Sequence, residues 1–168
     1  RVLSNLGVEK QLECISHRCL GFELRSFNSD KVLAKWTLDS KTPYFQCRRA
    51  DLHQLLFNSI QDKSKIHFSR RLESYQQNGD QVSLYWHDSE PITAKALIAA
   101  DGVHSVVRGS LFPQHQVQYA GYAAFRAILP FQKKYRSFLG KATVWMGKNH
   151  HVVVYPIGNE QKGKSWLN

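Results

Sequence analysis

The residues with the clearest chemical potential form the run A-L-I-A-A-D-G-V-H-S-V-V-R at residues 96–108. Its apolar part, residues 96–100, predicts a buried strand, and Asp101 and Gly102 follow at the strand's end. A helix is predicted to begin just beyond this turn. Ligands in open α/β sheets bind at such strand ends, although the Asp101 carboxylate would equally suit the N-cap of the following helix. The residues by themselves leave both roles open.

A second chemically suggestive residue is Arg49, which opens the run R-A-D-L-H-Q-L-L. This run begins the best predicted helix, at residues 51–63, where leucines recur at helical spacing. An arginine beside the free N–H groups of a helix start can bind an anion. The alternative is a solvated arginine, although a cation is mildly unfavourable at that end of a helix. Asp51 is predicted to cap the helix rather than to touch a ligand.

A third run, G-Y-A-A-F-R, occupies residues 121–126. Strand alternation would place Tyr122 and Arg126 on the same face. An arginine binds a carboxylate, and a tyrosine stacks on a ring or donates a hydrogen bond, so this face would suit an aromatic acid. A half-exposed sheet face without a ligand is the alternative.

The elements that must position these residues are read from periodicity and turn signals. Short helices are predicted at residues 2–6 and 10–15, on either side of Gly7, and a hairpin at 20–27 and 31–38. The pair Thr42-Pro43 breaks the pattern. Further strands are predicted at 66–68, 71–77, 81–87, 92–100, 119–129, 142–146 and 150–157, a helix at 104–111, and the start of a last strand near residue 166.

Composition bounds the class of protein. The 168 residues carry a net charge of +10, from 23 Lys and Arg against 13 Asp and Glu. The basic residues are scattered, which favours solvated charge and attraction of anionic ligands, and no nucleic-acid partner is expected. No apolar stretch is long enough for a membrane helix, and no signal peptide is recognisable. The cysteines Cys14, Cys19 and Cys47 fit neither a zinc pattern nor a disulfide framework, so we expect a reducing, cytoplasmic setting without a metal site.

One competing motif is the literal match of residues 158–165, G-N-E-Q-K-G-K-S, to the phosphate-loop pattern G-x-x-x-x-G-K-[ST]. That pattern needs a strand before it and a helix N-terminus after it. A strand is predicted, but only W-L-N follows. A charged hairpin loop is the preferred interpretation, and a nucleotide triphosphatase is an alternative.

The pattern D-G-x-x-S-x-x-R resembles the Asp-Gly motif of group A flavoprotein monooxygenases, the FAD-dependent aromatic hydroxylases such as salicylate hydroxylase and 3-hydroxybenzoate 6-hydroxylase. Three further blocks, R-x-D-L-x-x-x-L, G-Y-x-x-[WFY]-R and W-x-G-x-x-x-H-x-V-x-Y-P, are similar to other parts of the same family. The resemblance covers nearly the whole chain but only the middle of such an enzyme. No G-x-G occurs in the chain. In the family a G-x-G-x-x-G block comes earlier and a G-D block follows the substrate domain, so we expect these blocks before and after these residues.

The resemblance implies roles for five residues toward FAD. Asp101 and Gly102 would lie at the pyrophosphate, partly through their backbone, with Arg108 beside them. Arg49 would reach the FAD phosphates or the ribitol. Leu72 would meet the adenine through its backbone.

The implied activity is hydroxylation of a small, salicylate-like aromatic ring with FAD, NAD(P)H and O₂. In the family, the reduced flavin forms a hydroperoxide that transfers an oxygen to the ring. Tyr122 and Arg126 would position the substrate, and because some members have a histidine at the place of Tyr122, no base is assigned. The 168 residues alone are expected to be inactive.

Two further classes of protein stay open at the level of the sequence, a non-hydroxylating flavoprotein oxidoreductase and a basic binding module. Tight retention of FAD would distinguish the flavoproteins from the binding module. The aromatic substrate, the choice of NADH or NADPH and the oligomeric state are left open as well.

The implied fold is mixed α/β, with part of a Rossmann-like FAD/NAD(P)-binding domain interleaved with part of a β-sheet substrate domain. Residues 1–12 and 42–114 are assigned to the first domain. Residues 13–41 and 115–168 are assigned to the second.

Overall fold

The computed structural model describes residues 2–39, 41, 43–159 and 163–168. They form two compact units: unit 1 comprises Arg1–Gln61 and Phe125–Asn168, and unit 2 comprises Asp62–Ala124. The domain boundaries expected from the sequence divide the chain differently and stay a prediction. The predicted break at Thr42 lies outside the described residues.

The helices are α1 (Val2–Asn5), α2 (Glu9–Ile15), α3 (Arg49–Ser59) and α4 (Val106–Leu111), with 3₁₀ segments at Lys63–Lys65 and Lys133–Phe138. The strands are β1 (His17–Cys19), β2 (Gly21–Ser26), β3 (Val32–Thr37), β4 (Tyr44–Gln46), β5 (Leu72–Asn78), β6 (Gln81–Trp86), β7 (Ser89–Ala94), β8 (Leu129–Pro130), β9 (Lys141–Met146), β10 (His151–Val154), β11 (Pro156–Asn159) and β12 (Lys164–Leu167). The expected mixed α/β class is confirmed. None of the described helices is long and apolar enough to cross a membrane.

Unit 1 is built on a four-stranded sheet of order β10-β9-β2-β3. The pair β2–β9 is parallel and the other two pairs are antiparallel. The predicted hairpin at 20–38 is present as β2 and β3, and Asp30 in its turn has a φ of 54°. Two smaller sheets, β1-β4 and β11-β12-β8, complete the strands of this unit.

A buried carboxylate ties three strands of the four-stranded sheet together. Glu23 on β2 is only 2% exposed, and its carboxylate pairs with Arg25 at 2.5 Å, Lys35 of β3 at 2.9 Å and Lys141 of β9 at 3.1 Å. Burial by itself would raise the pKa of Glu23, but the hydrogen bonds from these three cations outweigh it and lower the pKa to about 2. The strands are therefore joined through one charge as well as through the backbone.

Helices α1 and α2 begin within one residue of their predicted starts, whereas α3 covers Arg49–Ser59 rather than the predicted 51–63. Gly7, with a φ of 70°, separates α1 from α2 as predicted. Val8 and Leu12 are buried, and α2 packs against α3. His17 of β1 accepts a hydrogen bond at Nε2 from the Gly140 N–H at 2.9 Å, which links β1 to the start of β9.

Unit 2 contains the antiparallel meander β5-β6-β7. The predicted N-G-D turn joins β5 to β6, and Gly79 supplies the positive φ of 61° that the turn requires. Val82 and Leu84 of β6 and Val107 of α4 are buried. Helix α4 packs beside β5, so this side of the meander is covered by a helix.

The predicted buried strand at residues 92–100 is wrong in its second half. Strand β7 ends at Ala94, residues 96–100 form no strand, and Ile98 is 92% exposed. A strand needs a neighbour to accept and donate its backbone hydrogen bonds. None of the described residues pairs with this apolar run, so its sequence pattern alone does not make it a strand.

The predicted strand at residues 119–129 is also wrong, since only Leu129–Pro130 at its end is paired. Gly121 has a φ of 83°, which an extended strand does not accommodate. The short predicted strand at 66–68 is likewise absent from the described part of the chain. Because residues 121–126 form no strand, the expected alternation of their side chains between two faces is not present.

The phosphate-loop alternative is not supported by the fold. Gly158 and Ser165 pair directly across the antiparallel strands β11 and β12. The residue that should open a helix is thus in a strand, and the helix N-terminus that cradles a phosphate in such loops does not form. Positions 160–162 of the motif lie outside the described residues.

The Glu23 cluster predicts how stability depends on pH. The pKa of Glu23 is lowered from an ordinary value of 4.5 to about 2. The ionised carboxylate therefore stabilises the folded state above pH 4.5, and this stabilisation is lost as the pH falls toward 2. We expect Glu23→Gln to lower the free energy of unfolding by about 2–3 kcal/mol at pH 7, because three cations lose their counter-charge. Urea unfolding between pH 7 and pH 2 checks this, with exposed Glu90→Gln as control. Equal losses in the two variants would contradict it.

Candidate functional site

The Asp101–Arg108 segment forms a turn closed by its own side chains. The Asp101 carboxylate accepts a hydrogen bond from the Val106 N–H at 2.9 Å. The Ser105 hydroxyl, at the N-cap of α4, accepts one from the Arg108 N–H at 3.0 Å. A hydrogen bond from the Ser105 side chain, helped by backbone N–H groups, holds the pKa of Asp101 below its usual range. Both polar side chains therefore stabilise the start of α4.

Arg108 reaches back over the same turn. Its guanidinium donates to the carbonyl oxygen of Gly102 at 3.4 Å and also to that of Val103. The side chain therefore binds backbone carbonyls of its own protein and fixes the path of the turn. Any influence of Arg108 on a ligand at the turn would act through this fixed backbone.

The surface of the turn is open. Gly102 has a φ of 82°, and a Cβ added there would meet no atom within 4 Å. Residues 101–104 are exposed. The Asp101 carboxylate and the Arg108 guanidinium are hydrogen-bonded within the turn. The exposed surface comprises the backbone at Gly102 and the side chains of Val103, which is 57% exposed, and His104. These residues fit a cofactor phosphate that approaches the backbone closely.

The start of α3 holds two arginines with different surroundings. Arg48 is the N-cap residue, so the prediction that Asp51 caps the helix is wrong; Asp51 lies in the first turn, where its charge favours the helix dipole. The Arg48 guanidinium stacks 4.7 Å from the ring centre of Trp166, which also lines a cavity of ≈ 560 Å³ between α2 and α3. Arg49 is the first helical residue and is exposed. Arg49 is thus the arginine available to an anion.

Leu72, predicted to meet an adenine, is the first residue of β5 and pairs with Trp86 of β6. At this end of the meander lies a cavity of ≈ 470 Å³, whose lining includes Arg70, Arg71 and Trp86. The indole Nε1–H of Trp86 is buried and has no hydrogen-bond partner among the described residues. The cavity is therefore lined by two arginines and by Trp86 beside the predicted adenine position.

The structure brings the predicted site residues together only in part. Asp101, Gly102 and Arg108 form one hydrogen-bonded turn in unit 2. Tyr122, 80% exposed, belongs to unit 2 and Arg126 to unit 1. Without a strand between them, the shared face predicted for this pair is not formed, and their role toward a substrate stays a prediction.

Two residues that stabilise the helix starts were not predicted from the sequence. Ser105 caps α4, and Arg48 stacks on Trp166. The Ser105 role follows the ordinary N-cap preference for serine and was recoverable from the motif. The Arg48 contact joins residues 118 positions apart in the chain, and no local pattern signals it. Among the described residues, no group of three His, Cys, Asp or Glu side chains is placed to hold a metal ion.

The comparison with protein families decides the class of the chain. The family model described as "FAD binding domain" matches residues 1–166. The chain belongs to the FAD binding domain family. The resemblance inferred from the D-G-x-x-S-x-x-R pattern is thereby confirmed at the level of the family.

Relatives of this FAD binding domain include aromatic hydroxylases. It is 33% identical over 165 residues to 3-amino-4-hydroxybenzoate 2-monooxygenase of Streptomyces cremeus, an alignment that spans 94% of the chain and 41% of that protein. It is 34% identical over 124 residues to 3-hydroxybenzoate 6-hydroxylase of Polaromonas naphthalenivorans, spanning 71% of the chain and 30% of the relative. The chain thus spans about two fifths or less of these relatives.

The fold comparison agrees with the family. The structure of 2,6-dihydroxypyridine-3-hydroxylase from Arthrobacter nicotinovorans superposes with a TM-score of 0.79 at 26% identity, covering 99% of this chain and 42% of that one. The likeness includes both units of the chain, since nearly all of its residues are covered.

The hydrogen bonds of the turn predict the effect of removing its cap. We expect Ser105→Ala to lower the free energy of unfolding by about 1 kcal/mol, because the Arg108 N–H loses its acceptor. Ser110→Ala, an exposed change within the same helix, should shift it by less than about 0.5 kcal/mol. Urea unfolding followed by circular dichroism distinguishes the two. A loss in Ser110→Ala as large as that in Ser105→Ala would show that Ser105 is not the cap.

Proposed function

We propose that this FAD binding domain is part of an NAD(P)H-dependent monooxygenase that hydroxylates a small aromatic ring. The observation that carries the proposal is the family match over residues 1–166. Its support comes from relatives named as hydroxylases of hydroxybenzoates, which align with most of the chain. The activity concerns the whole protein, of which these residues supply part of the cofactor and substrate sites.

The proposed cofactor contacts are those that the motifs of the chain imply. The backbone at Asp101 and Gly102 binds the FAD pyrophosphate, and Arg108 acts as a positioning residue that fixes the turn through its carbonyl contacts. Arg49 binds a phosphate or the ribitol, which its exposed position at the start of α3 supports. Leu72 meets the adenine, and the adjacent Arg70–Arg71 cavity supplies positive charge at that end.

Bound FAD, reduced by NAD(P)H, would supply the activation of O₂ for transfer of one oxygen atom to the ring. The protein contributes binding, orientation and exclusion of water. In this chain those tasks need no acid–base pair: the Asp101 carboxylate is committed to the turn, and its lowered pKa keeps it ionised and hydrogen-bonded at neutral pH. The hydrogen bond from the Val106 N–H to Asp101 at the start of α4 is therefore maintained at neutral pH.

The proposed substrate residues are Tyr122 and Arg126. A guanidinium binds a carboxylate with two parallel hydrogen bonds, and a phenol ring stacks on an aromatic face. Their support is this chemistry together with the carboxylated substrates named for the relatives. A small aromatic carboxylate with a ring hydroxyl is accordingly the proposed substrate class.

The two arginines at the start of α3 give a matched test of the cofactor site. In the full-length protein, Arg49→Ala should weaken FAD binding roughly ten- to hundred-fold, the loss typical of one charge-assisted hydrogen bond. Arg48→Ala should leave FAD affinity nearly unchanged and lower stability instead, because it removes the contact with Trp166. Titration of the apoprotein with FAD measures the first effect and thermal unfolding the second. Equal losses of affinity would rule out the assignment of Arg49.

Substitution of Arg126 tests the substrate site and the reaction together. With an aromatic carboxylate as substrate, Arg126→Ala should raise KM by one to two orders of magnitude, about the loss of one charge-assisted contact. Hydroxylated product per NAD(P)H oxidised should fall at the same time, because a loosely held ring is misaligned for oxygen transfer. Arg126→Lys should recover part of the KM.

Product analysis and NAD(P)H oxidation by the purified full-length enzyme provide both readouts. Unchanged KM and coupling in Arg126→Ala would remove this residue from the site. Oxidation of NAD(P)H to hydrogen peroxide with every aromatic tried, and no hydroxylated product from any, would instead favour a non-hydroxylating oxidoreductase.

A further inference from the structure

The excess positive charge of the chain is confined to one of its two units. Unit 1 contains 17 Lys and Arg against 7 Asp and Glu, whereas unit 2 contains 6 of each. The formal charge of +10 therefore belongs entirely to unit 1. Because unit 2 is neutral, the surplus is not spread evenly over the surface of the chain.

The 3₁₀ segment Lys133–Phe138 concentrates part of this charge. Lys133, Lys134 and Arg136 are exposed, and no carboxylate of the described residues forms an ion pair with any of them. The segment is held against the four-stranded sheet by Phe138, whose ring lies 6.0 Å from that of Trp145 on β9. The three cations are thus carried on an anchored segment.

The sheet beneath adds three further cations. Arg25, Lys35 and Lys141 surround Glu23, and Arg25 also pairs with Asp30 at 2.9 Å. Asp30 in turn accepts a hydrogen bond from the Trp145 indole at 2.8 Å, which connects this cluster to the anchored segment. We call this set of six cations and two carboxylates the basic surface; its members are Arg25, Lys35, Lys133, Lys134, Arg136, Lys141, Glu23 and Asp30. It keeps a net charge of +4, and Lys35 is 62% exposed.

We propose that the basic surface attracts the phosphorylated nicotinamide dinucleotide, so that the protein binds NADPH in preference to NADH. This inference rests on the proposed function, which requires one of the two as reductant. A surface of one sign raises the local concentration and the association rate of an oppositely charged ligand. The 2′-phosphate of NADPH adds a charge of about −1.5 to −2, so the dinucleotide that carries it gains the more from this field.

The chemistry of the surface favours a compact anion over a nucleic-acid strand. Single-stranded nucleic acids are held by a basic groove with a series of exposed aromatic rings. Here Tyr135 is the one aromatic residue among the three exposed cations, and Lys134 lies over its ring at 5.1 Å. Compact phosphates need only a concentration of cations, which this segment supplies.

The test compares two lysine pairs that occupy similar 3₁₀ segments in the two units. Lys133→Gln/Lys134→Gln removes two charges from the basic surface, and Lys63→Gln/Lys65→Gln removes two from neutral unit 2. NADP⁺ and NAD⁺ are titrated by calorimetry into the FAD-loaded full-length protein at ionic strengths of about 20 and 500 mM. Exposed charges are largely screened at the higher value. Binding is measured directly, so the readout does not depend on turnover.

We expect unmodified protein at low salt to bind NADP⁺ at least five-fold more tightly than NAD⁺, and the difference to shrink at high salt. Lys133→Gln/Lys134→Gln should weaken NADP⁺ binding three- to ten-fold at low salt and change NAD⁺ binding less. Lys63→Gln/Lys65→Gln should change either by less than two-fold. Equal affinities for the two dinucleotides, or equal effects of the two lysine pairs, would overturn the inference.

The outcomes separate this inference from the proposed function. Hydroxylation of an aromatic ring with NADH as the preferred reductant would overturn the inference and leave the monooxygenase proposal intact. Salt-sensitive, Lys133- and Lys134-dependent binding of NADP⁺ without any hydroxylated product would support the inference and contradict the monooxygenase proposal. Failure to bind either oxidised dinucleotide would overturn the inference and leave the monooxygenase proposal to product analysis.

Discussion

Burial of the Glu23 carboxylate carries a desolvation cost that is offset only while its three cationic partners stay in place. Those partners come from β2, β3 and β9, and the last of these strands lies more than a hundred residues away in the chain. An unpaired carboxylate in a low-dielectric interior is strongly unfavourable, so the charge selects the arrangement in which all three strands are adjacent. The parallel pairing of β2 with β9, the central feature of unit 1, therefore depends on this interaction as well as on the backbone ladder.

The Asp101–Arg108 turn of unit 2 applies the same physics at an exposed position. Its charged side chains form hydrogen bonds within the turn: the Asp101 carboxylate accepts one from the Val106 N–H, and the Arg108 guanidinium donates to two backbone carbonyls. The exposed surface of the turn includes the backbone at Gly102, which carries no side chain, beside the exposed side chains of Val103 and His104. A backbone held in this way has less conformational freedom to lose, which would lower the entropic cost of the phosphate binding that we propose. The motif thus acts to fix a loop, and its charged residues contribute indirectly.

The surplus positive charge of the chain lies in unit 1, where part of it also stabilises the sheet. In unit 1 the cations around Glu23 serve the interior, yet they exceed the carboxylates available to them, and the anchored 3₁₀ segment adds three more. The surplus extends over the surface of the same sheet. A single set of basic side chains can in this way hold strands together and generate a field that acts on anionic ligands.

Local features of the fold could be predicted from the sequence because they depend on neighbouring residues. The short helices around Gly7, the β2–β3 hairpin, the Gly79 turn and the strand at 141–146 follow from periodicity and turn chemistry. The family could be inferred for the same reason, since D-G-x-x-S-x-x-R is a contiguous pattern whose serine and arginine act within their own turn.

Features that depend on distant residues could not be predicted. The apolar run at 96–100 has the composition of a buried strand, but a strand exists only where a second one completes its hydrogen bonds, and none of the described residues does so. Residues 121–126 alternate like a strand, yet Gly121 adopts a positive φ. The sequence by itself determined the two short helices around Gly7 and the tight turns, through interactions a few residues long, and its motifs indicated the family. Only the tertiary structure decided the β2–β9 pairing, the burial of Glu23 and the stacking of Arg48 on Trp166, because each joins segments whose proximity no local pattern encodes.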